Sequence, residues 1–440
     1  MLLLSAIVAV TAFEGLTYAD TCSFVEDLTS IEVARPLQLA YVTEQNEYWS
    51  ESCTLLKPSC IIFPSSAQEV AAVVKILRDT DEDFAVKSGG HNPNLYCGWT
   101  FVGGRIGNTG IGGLILGGGL SYMSTQYGWS ASSVIEHEVV LSNGTIVAAS
   151  ADENPDLFTA LKGGGNNFGI GDVYGGNLLF LRSEETDEKL LKAVRDFTEY
   201  NEDDKAAVIV TAERINLNLL DSWILFLFYD GTEVPEGIFK NFTDVGPVLN
   251  TLRVRSYSSM MKLSNWVVVE ASTVHMATET IPLPSAENGT EVFNSIHVHW
   301  RAMSRTTLAV PGIVASTAYQ PFPRRIAEAA RARGDDLIAA DPDVDRLIIE
   351  MNYSFLPGPF EEMADTMEET YTGVRERVLA WQEDGTLPSH VYLPLSINYG
   401  FYRQDYFARL KPESAALARD VSARYDPEGL FRDRTGGWKP

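Results

Sequence analysis

Six of the ten residues from Gly110 to Gly119 are glycine. Glycine alone takes positive φ without strain, and it lets backbone N–H groups crowd an oxygen. A run this dense suits a pyrophosphate. It is not the G-x-G-x-x-G dinucleotide fingerprint, because Ile115 stands where the third glycine belongs, and no Walker A pattern occurs. The alternative is a set of tight turns and close strand packing. Two further clusters, Gly89-Gly90 and Gly163-Gly164-Gly165, also sit at the ends of predicted elements. Three cradles along one region fit one extended, phosphate-bearing cofactor better than three unrelated turns.

The elements around them read as follows. Cys60–Pro64 is a short strand, Ser65-Ser66 caps a helix over 67–78, and Phe84–Lys87 is a second strand. Strand–helix–strand is an α/β opening. Leu120–Tyr127 reads as a short helix. Val134–Val147 reads as a hairpin turning at Asn143-Gly144, a pair suited to a type I′ turn. Asn154-Pro155-Asp156 starts another helix. Near Glu184 charges thicken and glycines thin out. Beyond it the pattern predicts helices over 189–200, 324–333, 360–381 and 413–424, and strands over 208–211, 223–228 and 345–355. The stretch 294–320 reads as strand-like. A chain of 440 residues holds two to three domains, and no internal repeat or low-complexity tract is visible.

Charge and targeting narrow the class. Lys+Arg 34 against Asp+Glu 59 gives a net charge of −25, which disfavours nucleic acid and anionic membrane surfaces as partners. Leu2–Phe13 is an uncharged, mostly apolar run too short to span a bilayer, which needs about 20 residues. With Thr17-Tyr18-Ala19 behind it, residues 1–19 read as a secretory signal, although no Lys or Arg precedes the run. A buried N-terminal helix or strand is the alternative. Cysteines at 22, 53, 60 and 97 are compatible with two disulfides. Sequons at Asn143, Asn241, Asn288 and Asn352 also suit an extracellular chain, and each must be exposed if glycosylated.

Four ordered motifs carry a resemblance. Phe84-Ala85-Val86-Lys87-Ser88-Gly89-Gly90-His91-Asn92 resembles the first FAD-binding motif of the berberine-bridge-enzyme-like flavoproteins, within the vanillyl-alcohol-oxidase superfamily. Gly103-Gly104-Arg105 with 110–119 resembles the second, and Asn154–Phe158 through Gly169-Ile170 the third. Tyr425–Phe431 and Gly436-Gly437-Trp438-Lys439 resemble the C-terminal signature.

The resemblance implies an α+β chain. A shortened PCMH-type FAD-binding domain spans 20–184, and an antiparallel-sheet substrate domain with helices spans 185–395. A segment over 396–440 returns to the FAD domain. It implies FAD held by Lys87, Ser88, Gly89, Gly90, His91 and Asn92, by Gly110, Gly112, Gly113, Gly117, Gly118 and Gly119, and by Gly164, Gly165, Phe168, Gly169 and Ile170. His91 is the expected covalent link to the flavin 8α-methyl, and Asn398 lies near the isoalloxazine. Cys22 and Cys60 match a family disulfide; Cys53 and Cys97 do not map.

The sequence also departs from the family. Ile106 stands where some members carry a second, cysteinyl flavin link, so a single link through His91 is expected. Lys87 replaces an arginine and loses its bidentate geometry. Ser132-Ser133 replace an Asp-Asn pair, and Ser396 replaces a common aromatic. Only the eleven residues 92–102 join His91 to Gly103, where the family places several tens. Such a loss removes sheet partners and part of the cofactor wall. It points to a truncated gene model, a splice variant or a degenerate paralogue.

The chemistry implied is hydride transfer from a substrate carbon to flavin N5, with reoxidation by molecular oxygen. The substrate is a small alcohol, sugar or amine, and the protein is expected to be a secreted monomer. Tyr399 and Tyr319 are candidate bases, with ordinary packing as the alternative for each. His297 and His299 would share one face of a strand, but no third metal ligand is evident, so no metal is expected. No G-x-S-x-G or H-E-x-x-H motif occurs. The Glu361-Glu362 pair reads as part of a solvated helix face. The rival class is a non-catalytic secreted relative that no longer holds FAD.

Overall fold

A computed structural model describes residues 7–11, 21–46, 54, 56–87, 116–162, 172–215, 220–256, 260, 272–334 and 336–440. It shows a mixed arrangement of helices and antiparallel sheet.

The smaller sheet contains β1 (Ile7–Thr11), β2 (Glu32–Ala34), β3 (Cys60–Phe63) and β4 (Asp83–Lys87), in the order β2-β3-β1-β4. β1 is antiparallel to both β3 and β4, so those two run parallel with one strand position between them. The backbone that fills this position comes from within residues 1–19, the span read above as a leader; it is the strand alternative left open there. The helix Ala67–Arg78 crosses from β3 to β4. Ser66 Oγ accepts the Glu69 N–H at 3.2 Å, and Glu69 reaches back to the Ser65 N–H at 2.6 Å. This reciprocal capping sets the helix start. Its buried Ala71, Val73, Val74 and Leu77 follow the helical period. The disulfide that the resemblance implies, Cys22–Cys60, ties the helix Thr21–Leu28 to β3 inside the same core.

A hairpin of β5 (Glu136–Val140) and β6 (Ile146–Ser150) follows. Its turn differs from the expected type I′. Gly144 takes φ +74°, but Asn143 stays at negative φ. Gly144 N–H donates to Leu141 O and Leu141 N–H to Thr145 O, which makes a three-residue loop with one left-handed glycine.

The larger sheet is antiparallel throughout. It comprises β7 (Asp172–Leu181), β8 (Ala206–Ile215), β9 (Leu220–Tyr229), β10 (Leu249–Asn250), β11 (Arg253–Ser256), β12 (Thr273–Pro282), β13 (Val314–Phe322) and β14 (Arg346–Phe355). The order is β10-β7-β9-β8-β13-β14-β12, with β11 also on β7. The sheet therefore begins at Asp172, ahead of the composition change at 184. Helices Glu184–Tyr200, Gly289–Thr306 and Phe360–Asp384 cover one face. That face takes alternate strand residues, including Val208, Val210, Trp223, Leu225, Tyr319, Leu347 and Ile349, into the main core.

The strand-like reading of 294–320 is corrected over its first half. Gly289–Thr306 is a helix whose buried Val292, Phe293, Ile296, His297 and Trp300 follow a period near 3.6. The local alternation Ile296-His297-Val298-His299 imitates a strand, but the longer window decides for helix. His297 is buried, whereas the ring of His299 meets Thr370 O at 3.0 Å. Two residues apart on a helix, they do not share a face.

The opposite face of the large sheet rests at one end on the glycine-rich region. Tyr122 stacks on Phe228 with ring centroids 5.0 Å apart, and Trp129 meets Phe322 at 5.2 Å. The C-terminal segment crosses back. Leu430 and Phe431 enter the core of the small sheet, and Arg434 donates to the carbonyls of Leu77, Thr80 and Glu82 at the end of the crossover helix.

Candidate active site

Gly117, Gly118 and Gly119 close the glycine run beside a single-turn helix, Ile397–Tyr399. Gly118 and Gly119 take φ +85° and +72°. A Cβ on Gly117 would lie well inside contact distance of Asn398 Oδ1, and one on Gly118 would meet Ile338 Cδ1. The backbone thus approaches the Asn398 amide as only glycine allows. Asn398 Oδ1 is itself buried with no hydrogen-bond partner. A backbone cradle beside an unsatisfied amide oxygen fits a polar heteroaromatic group held against it. Tyr399 packs against the apolar cluster that contains Leu120, Trp129, Phe322 and Ile348.

The other expected site residues divide. Lys87 ends β4 buried, with its ammonium on Glu44. Ser88, Gly89, Gly90, His91, Asn92, Gly110, Gly112, Gly113, Gly164, Gly165, Phe168, Gly169 and Ile170 lie outside the described residues, as do Ile106, Cys53 and Cys97. Ser132 lies in a one-turn helix, with its hydroxyl buried and unpartnered.

Tyr319 is not at this junction. It lies on the helix-covered face of β13, fully buried, with its hydroxyl 3.2 Å from His297 Nδ1. Burial raises its pKa well above the ordinary phenol range, with the Asp187 carboxylate adding to it. That is the packing role weighed as its alternative. The same burial drives His297 down to about 3, with Arg301 and Arg182 assisting, so the imidazole stays neutral. Among the described residues no three His, Cys, Asp or Glu side chains gather into a metal site.

The opposite face of the large sheet carries polar residues that the sequence pattern does not single out. Two adjacent rows cross the strands. One runs Ile224, Thr211, Ala318, Glu350 and Thr278, and the next Ser222, Glu213, Ser316, Asn352 and Met276. Gln320 donates to Glu350 Oε2 at 2.6 Å. Glu213 is 7% exposed, and burial alone pushes its carboxyl up to about 7. The signal available was Glu213 itself, a charged residue on the alternate face of a long strand. The sequon at Asn352 belongs here too. It sits mid-strand between two paired neighbours, so it is no glycan acceptor on the folded chain; Asn143 and Asn241 are exposed.

No protein-family model matches the chain. An "Uncharacterized FAD-linked oxidoreductase" from Arthroderma benhamiae is 34% identical over 494 residues, covering 99% of this chain and 98% of the relative. The chain belongs to the berberine-bridge-enzyme-like FAD-linked oxidoreductases. Solved structures place the fold of this flavoprotein in the same group. The 6-hydroxy-D-nicotine oxidase of Arthrobacter nicotinovorans superposes with a TM-score of 0.66 at 20% identity, over 92% of this chain and 97% of that one. A glucooligosaccharide oxidase from Acremonium strictum, described with a 6-S-cysteinyl, 8α-N1-histidyl FAD, gives 0.65 at 15% identity, over 93% and 98%. The alignment with the Arthroderma relative also measures a loss. Its 494 positions use about 436 residues here (99% of 440), so 494 − 436 leaves about 58 positions without a counterpart in this flavoprotein. No described helix is long and apolar enough to cross a membrane.

Proposed function

We propose that this flavoprotein is a secreted, monomeric oxidase acting on a small alcohol, sugar or amine. The observation that carries the reading is the closure of Gly117 on Asn398, a backbone cradle joined to an unsatisfied amide. The glycines at 89–90, 110–119 and 164–165 hold the cofactor's pyrophosphate and adenosine half, and His91 carries a single covalent link. FAD bound there supplies a hydride acceptor and returns the electrons to molecular oxygen. The chain's own residues do the rest. In this reading Asn398 orients a ring edge, Tyr399 accepts a substrate proton, and the apolar cluster of Leu120, Trp129 and Phe322 excludes water from the junction.

Secretion is supported by the leader-like N-terminus, the Cys22–Cys60 disulfide and the exposed sequons at Asn143 and Asn241. It has a structural consequence. Removing residues 1–19 would take β1 away and leave β3 and β4 about 10 Å apart across an unfilled strand position. The roughly 58 positions that the Arthroderma relative has and this chain lacks are long enough to supply that strand. This favours a second reading, a shortened paralogue or gene product that no longer holds FAD.

The test is the secreted full-length product. An acid-denatured protein band that keeps flavin fluorescence, and loses it in His91→Ala, supports the oxidase. Peroxide formation over alcohols, oligosaccharides and amines then assigns the substrate class. A folded, colourless protein supports the second reading. N-terminal sequencing of the mature product decides whether β1 is retained.

A further inference from the structure

We propose that Glu213 anchors a protonated amine on the substrate, so that this oxidase takes cationic amines in preference to neutral alcohols or sugars. The inference rests on reading the face opposite the helices as the substrate side, and it narrows the substrate class given above. Glu213 projects from β8 toward the face opposite Val208, Val210 and Ala212, which enter the helix-covered core. Its carboxyl has no hydrogen-bond or ion-pair partner among the described residues, and the residue as a whole is 7% exposed.

Beside it in the same row, Ser222 is 1% exposed with an unpartnered hydroxyl. Buried polar groups in folded proteins are normally paired, so the Glu213 carboxyl and the neighbouring Ser222 hydroxyl mark a place where a ligand supplies the partners. The ligand's charge follows from the surroundings. The two rows hold carboxyls at Glu213 and Glu350, no basic side chain, and no aromatic ring on which a sugar would stack. Two strand spacings and one pleat separate the two glutamates, about 12 Å between Cα atoms. An ammonium donates to a carboxylate and neutralises it, which repairs what an uncharged hydroxyl leaves exposed to a low-dielectric face. The net charge of −25 raises the local concentration of cations around the whole protein.

The test is calorimetric titration of the full-length secreted protein with benzylamine and phenethylamine against benzyl alcohol and phenethyl alcohol. At neutral pH the amines are expected to bind at least about tenfold tighter than the alcohols. Glu213→Gln should bring that ratio close to one while leaving the melting temperature unchanged or higher, and Glu350→Gln should reduce it less. Equal binding of amine and alcohol, no binding of either, or a preference that survives in Glu213→Gln overturns the proposal. A yellow protein indifferent to probe charge overturns this inference alone. A colourless protein that binds amines through Glu213 overturns the flavin reading alone.

Discussion

The two main sheets of this flavoprotein are stabilised in different ways. The large sheet has six strands of nine or ten residues, paired along most of their length, with a continuous apolar core beneath three helices. The small sheet has strands of three to five residues and a much smaller core. Short strands bury too little to stand alone. The small sheet is instead fastened from outside, by the Cys22–Cys60 bond and by the returning C-terminus through Leu430, Phe431 and Arg434. The large sheet rests on its own extensive core. The scaffold from which the first cofactor motif departs, at the end of β4, depends on its fastenings.

The largest expected effect follows from that asymmetry. The disulfide closes a sequence separation of 38 residues. Loop-closure entropy for that length is worth about 4 kcal/mol. Replacing both Cys22 and Cys60 with Ser should therefore loosen the small sheet first. Hydrogen exchange should show β3 and β4 losing protection while β8, β13 and β14 keep theirs. Simultaneous loss in both sheets would mean that they unfold as one unit and that the contrast is only geometric.

The second effect has the opposite sign and lies in the stronger sheet. Glu213 has a folded-state pKa near 7, above its ordinary value of 4.5. Between those values the native state binds the proton that the unfolded state has released. Stability is therefore lost as pH rises from about 4.5 to 7, and the loss is complete above that. Two and a half units correspond to on the order of 3 kcal/mol. Glu213→Gln should be more stable than the parent at pH 8 and close to it at pH 4.5, measured by denaturant unfolding at both. His275 and His297, held at about 4 and 3 mainly by burial, lower stability as the pH falls below 6.5. They are common to both proteins and cancel in the difference. Identical pH profiles would show that Glu213 is hydrated, and would weaken its role as an anchor.

How much of this was legible in the chain depended on the range over which each signal acts. The crossover from β3 through Ala67–Arg78 to β4 was readable because capping and apolar period agree within twenty residues. The glycine run was readable because local chain geometry needs it, and the motif order made the family plain. β12 was missed. Thr273–Pro282 is polar in sequence, and its burial comes from partners distant in the chain: β14, the helix Phe360–Asp384, Gln404 and the Pro394 carbonyl. Within Gly289–Thr306 the chance alternation of Ile296-His297-Val298-His299 imitates a strand. Tyr319 lies in a stretch that resembles a substrate strand, but residue type does not say which side of a strand it takes, and the structure places it on the helix-covered face. Glu213 was passed over for the same reason. Register and face are tertiary properties, fixed by what packs on each side.

The smallest expected effect tests whether the cradle works independently of both sheets. Gly117 lies outside every strand, and its neighbours across the gap are the Asn398 amide and the Ile397 side chain. An alanine there needs no forbidden φ, since Gly117 is absent from the positive-φ residues, so the cost is overpacking alone, about 1–3 kcal/mol. The added methyl pushes Asn398 away and fills the space a flavin edge would take. Gly117→Ala should fold with hydrogen-exchange protection of the large sheet intact, yet carry less flavin per protein than the parent, read from the visible spectrum after purification. Undiminished flavin content would move the cofactor away from Asn398. Collapse of the large sheet's protection would show instead that the junction at Leu120, Trp129 and Phe322 supports that sheet, reversing the dependence drawn between the two regions.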